Sequence, residues 1–204
     1  EIEKIENIKK KFVKSSNNYL KLITVGRYAE KKKGYDLVET FAKKLISKKI
    51  KFIWTFVGKN THKIRENDYV KEKIEHFNFI DDIQNTEETY YPHSDLIKIY
   101  LDNDLYLNLS RIEAFGITFI ESLACGLPVI SFKKKGVEEI VIDKKNGYLS
   151  SNDNIDYLIE KIKYLQENEI SLNELKQNCQ RSIYKFDTNL ITELTIQSYQ
   201  SLIK

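Results

Sequence analysis

The chain has 204 residues, 41% of them hydrophobic, 12% aromatic and 31% charged, a mixture that supports a buried core under a solvated surface and excludes a disordered chain. Its 33 Lys and Arg against 30 Asp and Glu leave a formal net charge of +3, too small an excess for a surface built to hold nucleic acid or an anionic membrane. No apolar run reaches the ~20 residues of a membrane span, and the amino terminus lacks the apolar stretch of a signal peptide, so the expectation is a soluble, cytoplasmic chain.

Residues 1–18 are charged, with Ile2, Ile5, Ile8 and Phe12 loosely on one stripe and the polar cluster Ser15 to Asn18 closing them, and read as a linker or lead-in helix. From residue 19 onward short apolar runs alternate with amphipathic stretches, the rhythm of βαβ units around a parallel sheet. Strands are predicted over Leu20 to Val25, Phe52 to Val57, Phe77 to Ile80, Asp104 to Leu109, Pro128 to Phe132 and Gly147 to Leu149. Helices are predicted between them, over Tyr35 to Ser47, Asp68 to Glu75, His93 to Asp102 and Thr118 to Cys125. From about residue 152 the period becomes purely helical, through Ile155 to Glu167, Ser171 to Tyr184 and Thr188 to Ile203. The fold class is therefore α/β, a sheet of about six strands flanked by helices with a helical tail.

Cys125 and Cys179 lie far apart without metal-type spacing, which argues against a disulfide framework and a structural zinc site. The chain has no methionine, which points to a processed start or a fragment of a longer chain.

Chemistry concentrates at glycine-marked stations after strands, where an open α/β sheet binds its ligands. The first is Gly26-Arg27 through Lys33-Gly34, following the first strand; Arg27 brings a planar fork and Lys33 a point charge to a shared anion such as a diphosphate. Only four of the 33 basic residues are arginines, which singles out Arg27, whereas the run Lys31 to Lys33 alone also reads as a solvated loop. The second station, Ser110 to Glu121, places the amides of Gly116, Ile117 and Thr118 at a helix amino terminus, suited to a phosphate. Glu113 in the loop and Glu121 inside the helix are carboxylates suited to a diol, although Glu113 also reads as a partner of the helix dipole. Glu121 stands among apolar neighbours, where an unpaired carboxylate would be costly. The third station, Cys125-Gly126-Leu127-Pro128 and Gly136-Val137-Glu138-Glu139, reads first as architecture, and contact of the Gly136 to Glu139 turn with the site is left open.

Together, Val25-Gly26-Arg27 with Lys33-Gly34, the Glu-x7-Glu spacing of Glu113 and Glu121 around Phe115-Gly116, Ala124-Cys125-Gly126-Leu127-Pro128-Val129 and Gly136-Val137-Glu138-Glu139-Ile140-Val141 resemble the carboxyl-terminal domain of retaining glycosyltransferases of family 4, the glycosyl transferases group 1. The resemblance implies one half of a GT-B fold: a Rossmann-like domain over residues 19–204 that binds a UDP-, GDP- or ADP-linked sugar, with a missing amino-terminal domain binding the acceptor. It implies a bacterial enzyme of surface polysaccharide or glycoconjugate synthesis that transfers a hexosyl group with retention, inactive as an isolated half and peripheral at the inner membrane face through the missing domain. In this likeness Arg27 and Lys33 hold the diphosphate and stabilise the leaving nucleoside diphosphate, so that no metal or other cofactor is needed. Glu113 lies beside the transferred sugar with the Phe115 to Ile117 amides on its hydroxyls, Gly26 lines the donor site, Thr118 is near a phosphate, and Glu121 binds the ribose. The polar loop from Ile80 to Pro92, with Asp81, Asp82, Gln84, Asn85 and Thr86, is the place where the base is read.

The competing expectation is a non-catalytic, degenerate module that scaffolds a partner. A dinucleotide-dependent dehydrogenase is disfavoured because no Gly-x-Gly-x-x-Gly follows the first strand, and a nucleic-acid reader because the chain shows no basic face with interleaved aromatics.

Overall fold

The computed structural model describes residues 2–15, 18–81, 83 and 92–202. In chain order its elements are α1 (Ile2–Lys11), β1 (Leu20–Val25), α2 (Val38–Ser47), β2 (Phe52–Val57), α3 (Asp68–Glu72), β3 (Phe77–Ile80), α4 (Ser94–Asp102), β4 (Leu105–Asn108), α5 (Ile117–Ala124), β5 (Val129–Phe132), α6 (Lys135–Glu138), β6 (Gly147–Ser150), α7 (Ile155–Glu167), α8 (Glu169–Ser182) and α9 (Thr188–Leu202). The strands form one sheet in the order β3-β2-β1-β4-β5-β6, and every neighbouring pair is parallel. The chain thus starts in the middle, builds outward to β3, and returns through α4 to begin again at β4. That reversal opens a crevice between the carboxyl ends of β1 and β4.

The inner strands β1, β2, β4 and β5 are buried on both faces, as a parallel sheet covered by helices requires, while the edge strand β3 buries only Phe77. Alternation divides the core. Leu20, Leu22, Phe52, Trp54, Phe56, Leu105 and Leu107 meet α2 and α7 on one face, whereas Ile23, Val57, Tyr106 and Val129 meet α1, α4 and α5 on the other. Helix α2 shows the matching period, with Val38, Phe41, Ala42 and Leu45 buried.

The predicted elements all form, with ends shifted by up to about three residues, and Ile203, the predicted end of the last helix, lies outside the described residues. The helix expected from Tyr35 begins as a short 3₁₀ turn, Tyr35–Leu37, before α2, and the one expected to reach Glu75 stops at Glu72 and resumes as the turn Ile74–His76. Lys135–Glu138, read as loop, closes one helical turn as α6. The charged lead-in segment forms α1, which buries Ile5 and donates from Lys4 Nζ to the Pro92 carbonyl at 2.9 Å. Helix α9 differs from the rest: none of its residues is buried, and Leu190, Ile191, Leu194, Ile196, Tyr199 and Leu202 are exposed. No helix among the described residues is long and apolar enough to cross a membrane. Cys125 and Cys179 are buried free thiols, and burial pushes both thiol pKa values up, as suits inert core residues.

Candidate functional site

At the crevice the loops after β1 and β4 face each other and are joined by backbone contact. Gly34, at φ +71°, has its α-carbon so close to Leu109 that a Cβ would lie 2.0 Å from the Leu109 carbonyl oxygen. Only glycine fits both the left-handed backbone and that approach. A second close approach ties β1 to β2, because a Cβ on Gly58 would lie 2.6 Å from the Gly26 carbonyl oxygen. The same Gly26 oxygen accepts a hydrogen bond from the Tyr35 hydroxyl at 2.8 Å.

Arg111 joins the loops a second time. Its guanidinium donates to both carboxylate oxygens of Asp36, at 2.7 and 2.9 Å, and to the Lys31 carbonyl at 2.7 Å, while its backbone N–H donates to the Lys32 carbonyl at 3.0 Å. This paired, planar geometry requires an arginine fork. Lys33 then extends across to Glu113, Nζ to Oε2 at 2.7 Å.

The result is a cleft of about 540 Å³ lined by Gly26, Arg27, Lys32, Lys33, Glu113, Phe115, Gly116, Ile117 and Thr118 among others. Three cations and one carboxylate border it, so its local charge is positive in a chain that is nearly neutral. Arg27 is exposed, and Lys33 and Glu113 are half-buried. Gly116, at φ +80°, turns the chain into α5, whose first amides are left without intrahelical acceptors and favour an anion. The Thr118 hydroxyl is held at 2.7 Å by the Tyr106 hydroxyl, which also accepts from Asn108 Nδ2 at 3.2 Å. From behind, Gly136 presses on the Glu113 loop: a Cβ there would lie 2.2 Å from the Ala114 carbonyl oxygen. The turn left open by the sequence therefore packs against the loop that lines the cleft.

Of the residues singled out from sequence, Gly26, Arg27, Lys33, Glu113, Phe115, Gly116, Ile117 and Thr118 are gathered in this cleft. The Phe115 side chain is half-exposed and meets Phe186 edge-on, centroids 6.0 Å apart. Glu121 lies on another side of α5. With Ile117, Ile120 and Ala124, spaced three and four residues apart on one helix face, it lines a second pocket of about 310 Å³ that also includes Pro92 and Ile183. Ile117 borders both pockets, so they adjoin. Glu121 is 9% exposed, and its Oε2 accepts from the Tyr100 hydroxyl at 2.9 Å. Burial, reinforced by the adjacent Glu121, pushes the Tyr100 phenol well above its usual range and keeps it a donor.

Most of the loop expected to read a base, residues 82 and 84–91, lies outside the described residues. Asp81 is described, and its carboxylate is engaged by the Thr61 hydroxyl at 3.0 Å, the His62 backbone at 2.8 Å and the His62 ring. Sequence reasoning gave no role to Arg111, Asp36, Tyr35, Tyr100 or Tyr106. The one available signal was Arg111 as a rare arginine in a lysine-rich chain; the tyrosines only declare themselves once α4, β4 and α5 are packed.

The family model for glycosyl transferases group 1 matches residues 4–184. An uncharacterized 41.2 kDa protein of the cps region of Klebsiella pneumoniae is 25% identical over 202 residues, covering 98% of this chain and 51% of that protein. A poly(ribitol-phosphate) alpha-N-acetylglucosaminyltransferase of Staphylococcus aureus is 31% identical over 102 residues, 49% of this chain and 21% of that one. Among solved structures, the pneumococcal O-GlcNAc transferase GtfA in complex with UDP and GlcNAc shares the fold, with a TM-score of 0.70 and 22% identity over 94% of this chain and 38% of that chain. The chain spans about half the length of the Klebsiella protein it matches almost from end to end.

Proposed function

The chain belongs to the glycosyl transferases group 1 family, and from that premise we propose that it is the donor-binding half of a retaining hexosyltransferase acting in polysaccharide or glycoconjugate synthesis. The observation that carries the reading is the cleft at the β1/β4 crevice, lined by Arg27, Lys33 and Glu113 beside the start of α5, with Lys33 paired to Glu113. A nucleoside diphosphate sugar presents, in order, a diol, two phosphates and a second set of hydroxyls. The adjoining pockets offer a carboxylate at Glu121, two basic side chains with the α5 amides, and a second carboxylate at Glu113.

In this reading, Arg27 and Lys33 bind the diphosphate and neutralise the charge that develops as the bond to the sugar breaks, as fixed charges do best when already in place. Lys33 begins paired with Glu113. An incoming diphosphate competes for that lysine and frees the Glu113 carboxylate to accept from hydroxyls of the transferred sugar. The amides of Phe115 to Ile117 donate to the same sugar, Gly26 lets the backbone come close, and Thr118, fixed by Tyr106, lies toward the phosphates. Cationic side chains carry this role without a metal, so nucleotide affinity is expected to be unchanged by EDTA. The acceptor falls to the portion of the relatives' length that this chain does not span.

The family names of the relatives and the UDP bound by GtfA support the reading. Isothermal titration with UDP, GDP and ADP tests it: micromolar to millimolar binding of one of them is expected, and no heat from any at millimolar concentration overturns it.

A further inference from the structure

Glu121 can meet a diol only if its carboxylate is correctly aimed. Its helix neighbours Phe119, Leu123, Ala124 and Cys125 are buried and apolar, so a polar partner that orients the carboxylate has to come from outside that face. One such partner comes from another element. Tyr100, on α4, is 0% exposed, with its ring against Tyr106 at a centroid separation of 6.3 Å and its hydroxyl 2.9 Å from Glu121 Oε2. A ring so enclosed is held by its packing, and a buried tyrosine hydroxyl donates to the acceptor that packing brings to it. The donor is fixed by the packing of α4 on the sheet, independently of the rotamer of Glu121.

We propose that Tyr100 is the positioning residue of the nucleoside subsite: its hydroxyl occupies one oxygen of Glu121 and thereby directs the carboxylate toward the ribose hydroxyls of the donor. The inference rests on the reading of Glu121 as the ribose acceptor, and it adds the group that makes Glu121 selective. It also accounts for a buried hydroxyl that the diphosphate chemistry does not use.

The test compares UDP with 2′,3′-dideoxy-UDP by calorimetry on the full chain, for the wild type, Tyr100→Phe, Glu121→Gln and the double variant. The wild type is expected to prefer UDP by roughly tenfold or more, as for hydrogen bonds to a charged group. Tyr100→Phe is expected to lose most of that preference by weakening UDP alone, with dideoxy-UDP affinity within about twofold of wild type, the range of an undisturbed site. The unchanged dideoxy affinity shows that the site still folds, and the double variant is expected to lose no more preference than Glu121→Gln. Full wild-type preference in Tyr100→Phe, or equal weakening of both ligands, overturns the inference and leaves the ribose reading standing. A wild type that binds the two nucleotides equally overturns the ribose reading and the inference with it.

Discussion

Two clusters of charge sit at opposite ends of β4, and both span the boundary between β1 and β4. At the amino end, Asp104 accepts from Lys14 Nζ at 2.5 Å, Lys176 Nζ at 3.2 Å and the Lys21 backbone at 3.0 Å, while Lys21 Nζ reaches Asp102 at 2.9 Å. At the carboxyl end lie Lys33 with Glu113 and Arg111 with Asp36. The residue types are the same, but the surroundings differ. Below, the charges are spent on one another and on the backbone, knitting the segment after α1, the starts of β1 and β4, and α8 together. Above, glycines open the backbone, Arg27 and Lys32 add positive charge, and the first residues of α5 line the cleft. An ion pair marks a site when its neighbourhood has donors left over; otherwise it is a fastener.

The comparison fails if the upper cluster can be removed without affecting ligands. Arg27→Ala combined with Lys33→Ala is expected to weaken nucleoside diphosphate binding by about a hundredfold or more, two charge-assisted contacts' worth, with little change in the unfolding midpoint. Titration calorimetry and a thermal melt read the two halves of that statement.

The lower cluster should respond the other way. Asp104→Asn is expected to cost about 2 kcal/mol of stability in urea unfolding and to leave nucleotide affinity unaltered. Burial opposes the Asp104 charge, but Lys14, the hydrogen bonds and Lys176 outweigh it and hold the carboxyl pKa below the ordinary range. A carboxylate depressed in the folded state contributes stability above its unfolded pKa, near 4, and loses it as pH falls through the folded value. The wild type should therefore weaken on acidification below about pH 4, and more steeply than Asp104→Asn. The Lys14 pKa is lowered as well, because its loss of hydration exceeds the pull of Asp104. It titrates on the alkaline side, so the acid limb belongs to the carboxylates.

Arg111→Lys is the mildest probe. It keeps the charge and loses the fork, in a pair that is about a third exposed, and a threefold weakening of diphosphate binding with an unchanged melt is expected. A larger drop in the melting temperature would make Arg111 a fastener of the lower kind.

Much of this was legible beforehand. Buried strands of four to six apolar residues and amphipathic helices such as Val38–Ser47 are local patterns, and the six strands were read within a residue or two. Gly26, Arg27, Lys33 and the stretch from Glu113 to Thr118 were legible because a glycine after a strand marks where backbone must come close. What stayed hidden is relational. Nothing local in Tyr100 distinguishes a core tyrosine from one whose hydroxyl meets a carboxylate twenty-one residues on, and the Arg111–Asp36 fork joins residues 75 apart. Glu121 was recognised as a buried carboxylate needing a partner, but α5 turns it to a different side from Glu113, which eight-residue spacing alone does not convey. The helical form of Lys135–Glu138 was missed because it is a single turn held by packing against Ala114.

Helix α9 has a practical bearing on handling the protein. It carries one charged side chain, Glu193, and no buried residue, so almost nothing in the sheet domain depends on it. For this chain the melting temperature is therefore expected to follow the packed layers on the two faces of the sheet, and association to follow the exposed apolar side chains of α9. A chain ending before Thr188 should melt at nearly the same temperature while tolerating higher concentrations, as light scattering against concentration would report.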